Sequence, residues 1–220
     1  MNTEDYIAQC TAHLSDTNTY KLTDYYPKDE ITRQLTNIAA NFKSQLHGYN
    51  KNLYTFLASA PDHSQIPQFY GIPKIHKKFV KVPPIRPIVS QCNSPLLPTA
   101  KFIDHVLQPL AQSYSDYLHN TTALSLILQE LYVPEDAILV TVDVNSLYPS
   151  IPQTEMLQII YDEMYRKRHL QFDPNLIIQL LHISINFNFF EFASHSSKQK
   201  AQSWGQPSLL QLQTFICPSL

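Results

Sequence analysis

Residues 137–152 read A-I-L-V-T-V-D-V-N-S-L-Y-P-S-I-P, an apolar run that leads into an aspartate and a proline-containing turn. Five apolar residues and one β-branched threonine lead straight into Asp143. A nearly continuous apolar run of this kind, closed by Pro149, predicts a strand that is buried on both faces. Asp143 then stands where the chain leaves the core. It is either an ordinary turn or capping aspartate or a ligand for a metal or a polar substrate, and this stretch alone leaves both open.

Composition restricts the class of protein before any motif is considered. The chain has 220 residues, of which 44% are hydrophobic, so it can bury the core of one good-sized domain or two small ones. Sixteen Lys and Arg against eighteen Asp and Glu give a formal charge of −2, so any nucleic-acid binding must depend on a local basic patch. The three glycines lie far apart, so neither a P-loop nor a dinucleotide fingerprint is present, and three scattered cysteines predict no disulfide framework or zinc site. No apolar run is long enough to predict a membrane span, and the polar N-terminus does not resemble a signal peptide. We therefore expect an intracellular chain.

Residues 1–66 are predicted to form a helical N-terminal region. Apolar side chains recur every three or four residues over 28–47, which predicts one amphipathic helix that Gly48 closes. A shorter helix is expected over 53–58, before the next proline. The apolar stripe of the longer helix consists of Ile31, Leu35, Ile38, Phe42 and Leu46.

Residues 67–136 begin with the most basic part of the sequence, F-Y-G-I-P-K-I-H-K-K-F-V-K-V-P-P-I-R-P-I-V-S. Its prolines exclude a helix, and its short apolar pieces predict strands. Lys74 and Arg86 each lie in a stiff apolar frame, I-P-K-I and I-R-P-I, which suits a fixed anion such as a triphosphate or a nucleic-acid backbone. A solvated loop, or an edge strand protected by lysines, explains the same residues equally well. The cations are Lys74, Lys77, Lys78, Lys81 and Arg86.

The rest of this region is predicted to be helical. A helix is expected over 98–119, kinked at Pro109, with Tyr114 and Tyr117 at the end of its buried stripe. A second helix over about 121–131 precedes the buried strand.

Residues 137–195 contain the strand and turn described above, and then two helices and a strand. The first helix is expected over 154–169. Asp173 should cap the second, over 175–185, because a proline follows it at the first helical position. A strand over 187–192 completes an α+β pattern.

Three separated pieces of sequence resemble one known family. They are F-Y-G-I-P-K-I-H-K, then P-I-R-P-I-V-S-Q-C-N-S-P with K-F-I-D-H-V-L-Q-P-L, and finally L-V-T-V-D-V-N-S-L-Y-P-S-I-P. In this order they resemble the reverse transcriptase domain of Penelope-like retroelements over roughly residues 14–192. The resemblance implies an α+β, partial right-hand polymerase, with a helical region (1–66), a fingers-like module (67–136) and the first part of a palm (137–195).

The resemblance also implies an activity and partners. The family consists of RNA-directed DNA polymerases of transposable elements, which act on an RNA template, a DNA primer and deoxynucleoside triphosphates, and it suggests a nuclear role. It places Asp143 as the ligand of two Mg²⁺ (or Mn²⁺) ions and gives the carbonyl of Val144 to one of them. Lys74 and Arg86 match the residues that hold the triphosphate of the incoming nucleotide. Tyr148 matches an aromatic gate beneath the sugar, although a plain core aromatic explains it equally well.

A family B DNA polymerase is the alternative, because D-V-N-S-L-Y-P-S-I also resembles its first palm motif. That family, however, places its nucleotide-gripping cations after the motif, whereas in this chain they precede it.

Residues 196–220 depart from the family pattern, which requires a segment like G-T-x-M-G-T-x-x-S-P-x-x-A-N-I-Y-M. Codons for the tail can be chosen so that a shifted reading frame gives T-V-M-G-T-A-F-S-P-T-I-A-N-I-Y-M-S. We therefore expect a frameshift between Phe192 and Ala201 and a disordered tail. One carboxylate does not hold two Mg²⁺ ions in the required geometry, so we expect no polymerase activity from the chain as written. Two other possibilities stay open: a non-catalytic fragment that still binds nucleic acid, and a remnant without a role.

Overall fold

The computed structural model describes residues 1–58, 64–142, 151–167, 171–193 and 198–203, with the backbone alone for 193 and 198–203. Helices and a small mixed sheet confirm the α+β class. The helices are α1 (Thr3–Leu14), α2 (Lys28–Asn41), α3 (Lys43–Tyr49), α4 (Leu53–Ala58), α5 (Leu97–Gln112), α6 (Thr121–Glu130), α7 (Gln153–Lys167) and α8 (Pro174–Asn186). The strands are β1 (Tyr20–Leu22), β2 (Gln68–Pro73), β3 (Ile85–Ser90), β4 (Phe189–Ala193) and β5 (Lys198–Ser203). Among the helices so described, none is long and apolar enough to cross a membrane.

The five strands form one sheet in the order β1-β5-β4-β2-β3. Strand β2 runs parallel to β4, and the other neighbouring pairs are antiparallel. The proline-rich basic stretch contains β2 and β3, which confirms the predicted strands, and the structure pairs the two antiparallel. The strand predicted over 187–192 is β4.

Helix α1 covers one face of this sheet and closes the smaller of two hydrophobic clusters. Cys10 and Leu14 on α1 pack with Phe69 of β2 and Phe190 of β4 in that cluster. The ring of Phe69 lies 5.6 Å from that of Phe190, centre to centre. The backbone N–H of Gly71 donates to the Tyr6 hydroxyl at 2.9 Å, which ties the helix directly to the strand.

Gly71 leaves no room for a side chain at this contact. A Cβ built on it would lie 2.9 Å from Cδ1 of Ile85 and 3.0 Å from Sγ of Cys10. We expect Gly71→Ala to lower the free energy of unfolding by about 1–3 kcal/mol, because overpacking forces neighbouring atoms to shift. Gly48→Ala is the matched control: nothing lies within 4 Å of its Cβ position, and alanine favours a helix such as α3. Urea denaturation should show opposite signs for the two variants, and equal stability would contradict the contact.

The larger cluster is helical and contains α2, α3, α4, α5, α7 and α8. The apolar stripe predicted over 28–47 is buried as expected, but it is divided between two helices. Phe42 leaves helical geometry with φ −108° and ψ 17°, and α3 begins directly after it. Gly48 lies inside α3 rather than beyond its end, so the prediction of one helix closed by Gly48 was wrong. The largest fully buried members of the cluster are Ile31, Leu35, Leu46, Leu57, Ile103, Met164, Leu176, Ile177 and Leu180.

Helix α8 begins as the sequence predicts. The Asp173 side chain accepts a hydrogen bond from the N–H of Asn175 at 2.8 Å, and Pro174 occupies the first turn. Because a proline has no N–H to leave unsatisfied there, the Asp-Pro pair fixes the start of the helix. Leu176 and Ile177 are thereby placed at the centre of the helical core.

Helix α5 ends at Gln112, seven residues before its predicted end at residue 119. The hydroxyl of Ser113, its C-cap residue, donates to the carbonyl of Leu110. The expected burial of Tyr114 and Tyr117 was therefore wrong, since they are 42% and 41% exposed. The Tyr114 hydroxyl instead donates to Glu163 on α7 at 2.5 Å.

Residues 137–142 do not form the predicted buried strand. They have no regular secondary structure, and Ile138, Leu139, Val140 and Val142 are between 72% and 91% exposed. A strand is buried on both faces only when other strands flank it and other layers cover it. None of the described strands pairs with this segment, so its apolar side chains have neither flanking strands nor a covering layer.

The prediction of a disordered tail over 196–220 is also wrong in part. Lys198–Ser203 forms β5, which pairs with β4 on one side and β1 on the other. Ser203 lies opposite Tyr20. Because β5 pairs on both edges, its residues form backbone hydrogen bonds, although their polar composition does not predict a strand. Residues 204–220 lie outside the described part of the chain.

Candidate nucleic-acid interface

The two strands β2 and β3 form a regular hairpin from Gln68 opposite Ser90 to Pro73 opposite Ile85. The N–H of Lys74 continues the ladder by donating to the carbonyl of Pro84 at 2.8 Å. In the described sheet β3 lies at an edge, a position that tolerates a proline such as Pro87 because no strand needs its missing N–H. The hairpin is therefore a rigid arm that leads into a loop over residues 75–83.

The hairpin has one covered face and one open face. Phe69, Gly71 and Val89 are buried on the side of α1. Because side chains alternate along a strand, Tyr70, Ile72 and Arg86 lie on the opposite side, where they are exposed. Ile72 and Arg86 are direct cross-strand neighbours. The guanidinium of Arg86 thus stands on an open surface beside an apolar side chain.

The structure brings the two sequence-predicted phosphate ligands to the same end of the hairpin. Lys74 lies opposite Pro84, and Arg86 follows two residues later on β3. Diagonal positions of this kind lie roughly 7–8 Å apart in a sheet. Lys74 is half-buried and Arg86 is exposed.

No carboxylate neutralises these cations in the described part of the chain. The ion pairs found there join Arg33 to Glu30 and Arg166 to Glu163, both on helices. The hairpin and its loop, residues 68–90, contain no Asp or Glu. The positive charge of Lys74 and Arg86 is therefore available to an external anion.

Exposed aromatic side chains, which were not predicted from the sequence, accompany the cations. Tyr70 on the open face is 41% exposed, and Phe79 in the loop is 46% exposed. Aromatic rings interleaved with Lys and Arg are typical of surfaces on which nucleic-acid bases stack while cations hold the phosphates. The signal that could have revealed Tyr70 is the alternation along β2, which puts it opposite the apolar face.

The loop also forms one wall of an open groove of about 550 Å³ against the start of α1. Tyr6, Pro73, Phe79 and Lys81 are among the residues that line it, and Asp5 lies on the α1 side. The Asn2 side chain caps α1 by accepting from the N–H of Asp5 at 2.7 Å. The groove is thus mainly apolar, with the carboxylate of Asp5 and the ammonium group of Lys81 among its lining groups.

His13 connects α1 with the base of the hairpin. Its ring lies 3.0 Å from the Tyr20 hydroxyl, in hydrogen-bonding distance, and stacks on Phe69 with 6.3 Å between ring centres. Burial lowers the pKa of His13 below its usual 6.5; the charge of Asp16 raises it, and that of Lys74 lowers it. The folded chain therefore favours the neutral imidazole.

This depressed pKa predicts a pH dependence of stability. Because the unfolded chain binds a proton on His13 more readily, the stabilisation is present above pH 6.5 and is lost as the pH falls below that value. We expect the wild-type free energy of unfolding to decline from pH 7.5 to pH 5 more steeply than that of His13→Gln. Urea denaturation across this range checks it, and parallel curves for the two proteins would contradict it.

Three predicted site residues, Asp143, Val144 and Tyr148, lie outside the described residues. Among the residues that are described, no group of three or more His, Cys, Asp or Glu side chains could hold a metal ion. Magnesium binding thus stays an implication of the sequence resemblance.

One buried polar side chain follows the hairpin directly and was also missed. Gln91 is 6% exposed, and neither its amide nitrogen nor its amide oxygen has a hydrogen-bond partner among the described residues. A buried amide of this kind costs stability, and nothing in the local sequence distinguishes it from an exposed glutamine.

Comparison with known proteins does not assign the chain to a family. No protein-family model, no curated protein and no solved structure matches it.

Proposed function

We propose that this chain is a fragment of a retroelement reverse transcriptase that retains a phosphate-binding hairpin for nucleic acid and lacks polymerase activity as written. The observation that carries the binding proposal is the β2–β3 hairpin, whose cations have no carboxylate partner among the residues that the structure describes. The order of the three sequence motifs supports the lineage.

The chemistry of the two cations suits phosphate. Arg86 presents a planar guanidinium that can bind two phosphate oxygens at once, and Lys74 supplies a compact point charge. The backbone hydrogen bond from Lys74 to Pro84 fixes the main chain at this position, so only the side chain of Lys74 has to be ordered when it binds. Tyr70 offers a ring for a base on the open face of the hairpin.

Binding of a fluorescently labelled single-stranded RNA, followed by anisotropy, tests this proposal. Lys74→Ala with Arg86→Ala should weaken the complex. The hairpin is not a phosphate site if the affinity stays unchanged.

We expect no DNA synthesis by the purified 220-residue chain on a primed RNA template with Mg²⁺ and deoxynucleoside triphosphates. The reason is that two Mg²⁺ ions need several carboxylate ligands, and the sequence motif supplies Asp143 alone. Gel analysis of primer extension is the measurement. Extension that Asp143→Ala abolishes would contradict this part of the proposal.

A further inference from the structure

Two surfaces of this chain are apolar, charged and uncovered. The first, which we call the loop tip, is residues 75–81 between β2 and β3. Ile75 is 77% exposed, Phe79 is 46% exposed and Val80 is fully exposed. The lysines Lys77, Lys78 and Lys81 are interleaved with these side chains, and all three are exposed.

The second surface, which we call the acidic segment, is residues 130–142, from the end of α6 onwards. Leu131, Tyr132, Ile138 and Leu139 are between 57% and 91% exposed. Helix α6 itself buries none of its residues. The charges of the segment are all negative: Glu130, Glu135 and Asp136.

The two surfaces are complementary in charge and in apolar character. Each combines three like charges with several exposed large apolar side chains, and the signs are opposite. Such complementarity favours binding between the two surfaces, because apolar side chains are removed from water in the contact. The opposite charges steer the encounter and fix the relative orientation of the surfaces.

Within one chain these surfaces do not cover each other. Val80 and Leu139 are 107% and 91% exposed, values that a mutual contact would lower. A nucleic acid does not fit the acidic segment, because its phosphates would be repelled by three carboxylates. The occupant must therefore bring both lysines and apolar side chains, and the loop tip of another copy has both.

We propose that the loop tip of one copy binds the acidic segment of a second copy. The contact is head-to-tail, since it joins two different surfaces, so each copy keeps one surface free for a further copy. Contacts of this type build open chains or closed rings. The inference does not depend on the proposed function, because it uses neither Lys74 nor Arg86.

Sedimentation velocity over a range of protein concentrations tests this association. We expect the wild-type chain to form larger species as its concentration rises from micromolar to sub-millimolar. Lys77→Glu with Lys81→Glu, and separately Glu135→Lys with Asp136→Lys, should each weaken the association about tenfold or more. The exposed pair Lys51→Glu with Lys101→Glu, which alters the net charge as much as the loop-tip pair, should leave it unchanged.

Mixing the two charge-reversed variants is the sharpest arm of the experiment. The acidic loop tip of one variant then meets the basic segment of the other, so the mixture should associate although neither variant does alone. A wild-type chain that is monomeric at every concentration would overturn the proposal. So would association that both variants retain in full, or a mixture that stays monomeric. Circular dichroism of each variant verifies that its fold is intact, and the wild-type series decides the matter independently of the variants.

Discussion

Leu176→Ala is expected to lower the free energy of unfolding by about 2–5 kcal/mol, the range for truncating a fully buried leucine. Leu176 has no exposed surface and lies in the first turn of α8, inside the helical core. The substitution removes apolar contacts and leaves a cavity that the surrounding helices fill only in part. Urea denaturation followed by circular dichroism measures the change.

Ile159→Ala provides the matched control for this prediction. Ile159 lies on α7 and is 62% exposed, so its truncation should alter stability by no more than about 0.5 kcal/mol. If Leu176→Ala proved as stable as the wild-type chain, the placement of α8 at the centre of the helical core would be wrong.

The second large effect concerns binding. We expect Lys74→Ala with Arg86→Ala to weaken the affinity for single-stranded RNA by roughly ten- to a hundredfold, because two charge-assisted contacts to phosphate are lost. Neither residue is buried or part of a described ion pair, so the stability of the fold should change little. The anisotropy titration described above gives both affinities.

Lys51→Ala with Lys101→Ala controls for the loss of two positive charges. Both lysines are exposed and lie among the helices rather than on the hairpin. If RNA were held only by a general electrostatic attraction, the loss of two positive charges would lower the affinity equally in both double variants. A specific hairpin site should make the loss much larger for Lys74 and Arg86.

The sequence predicted the elements whose signals are local. Prolines and short apolar pieces indicated the strands β2 and β3, and Asp173 with Pro174 indicated the start of α8. The stripe that begins at Ile31 and Leu35 indicated the face of α2 that is buried. In each case the residues that carry the signal lie within one or two turns of the structure they determine.

The failures concern elements whose structure depends on distant residues. Residues 137–142 have the composition of a buried strand, but burial needs neighbours, and the described strands pair elsewhere. Conversely, β5 has polar residues and no clear alternation, yet it pairs with β1 and β4. Strand formation is governed by such context more than by intrinsic preference.

The candidate site shows the same division. The frames around Lys74 and Arg86 marked both residues in the sequence, but their proximity follows from the hairpin register, which local sequence does not specify. The exposure of Tyr70 depends likewise on which face α1 covers. The predicted role of Asp143 stays a prediction.

The salt dependence of RNA binding tests the central claim most directly. For single strands the logarithm of the affinity falls against the logarithm of the salt concentration with a slope of about −0.7 for each phosphate contact. If Lys74 and Arg86 each hold a phosphate, Lys74→Ala with Arg86→Ala should make the slope shallower by about 1.4. The control Lys51→Ala with Lys101→Ala should keep the wild-type slope. An unchanged slope in the hairpin variant would contradict the assignment of this hairpin as a phosphate-binding site.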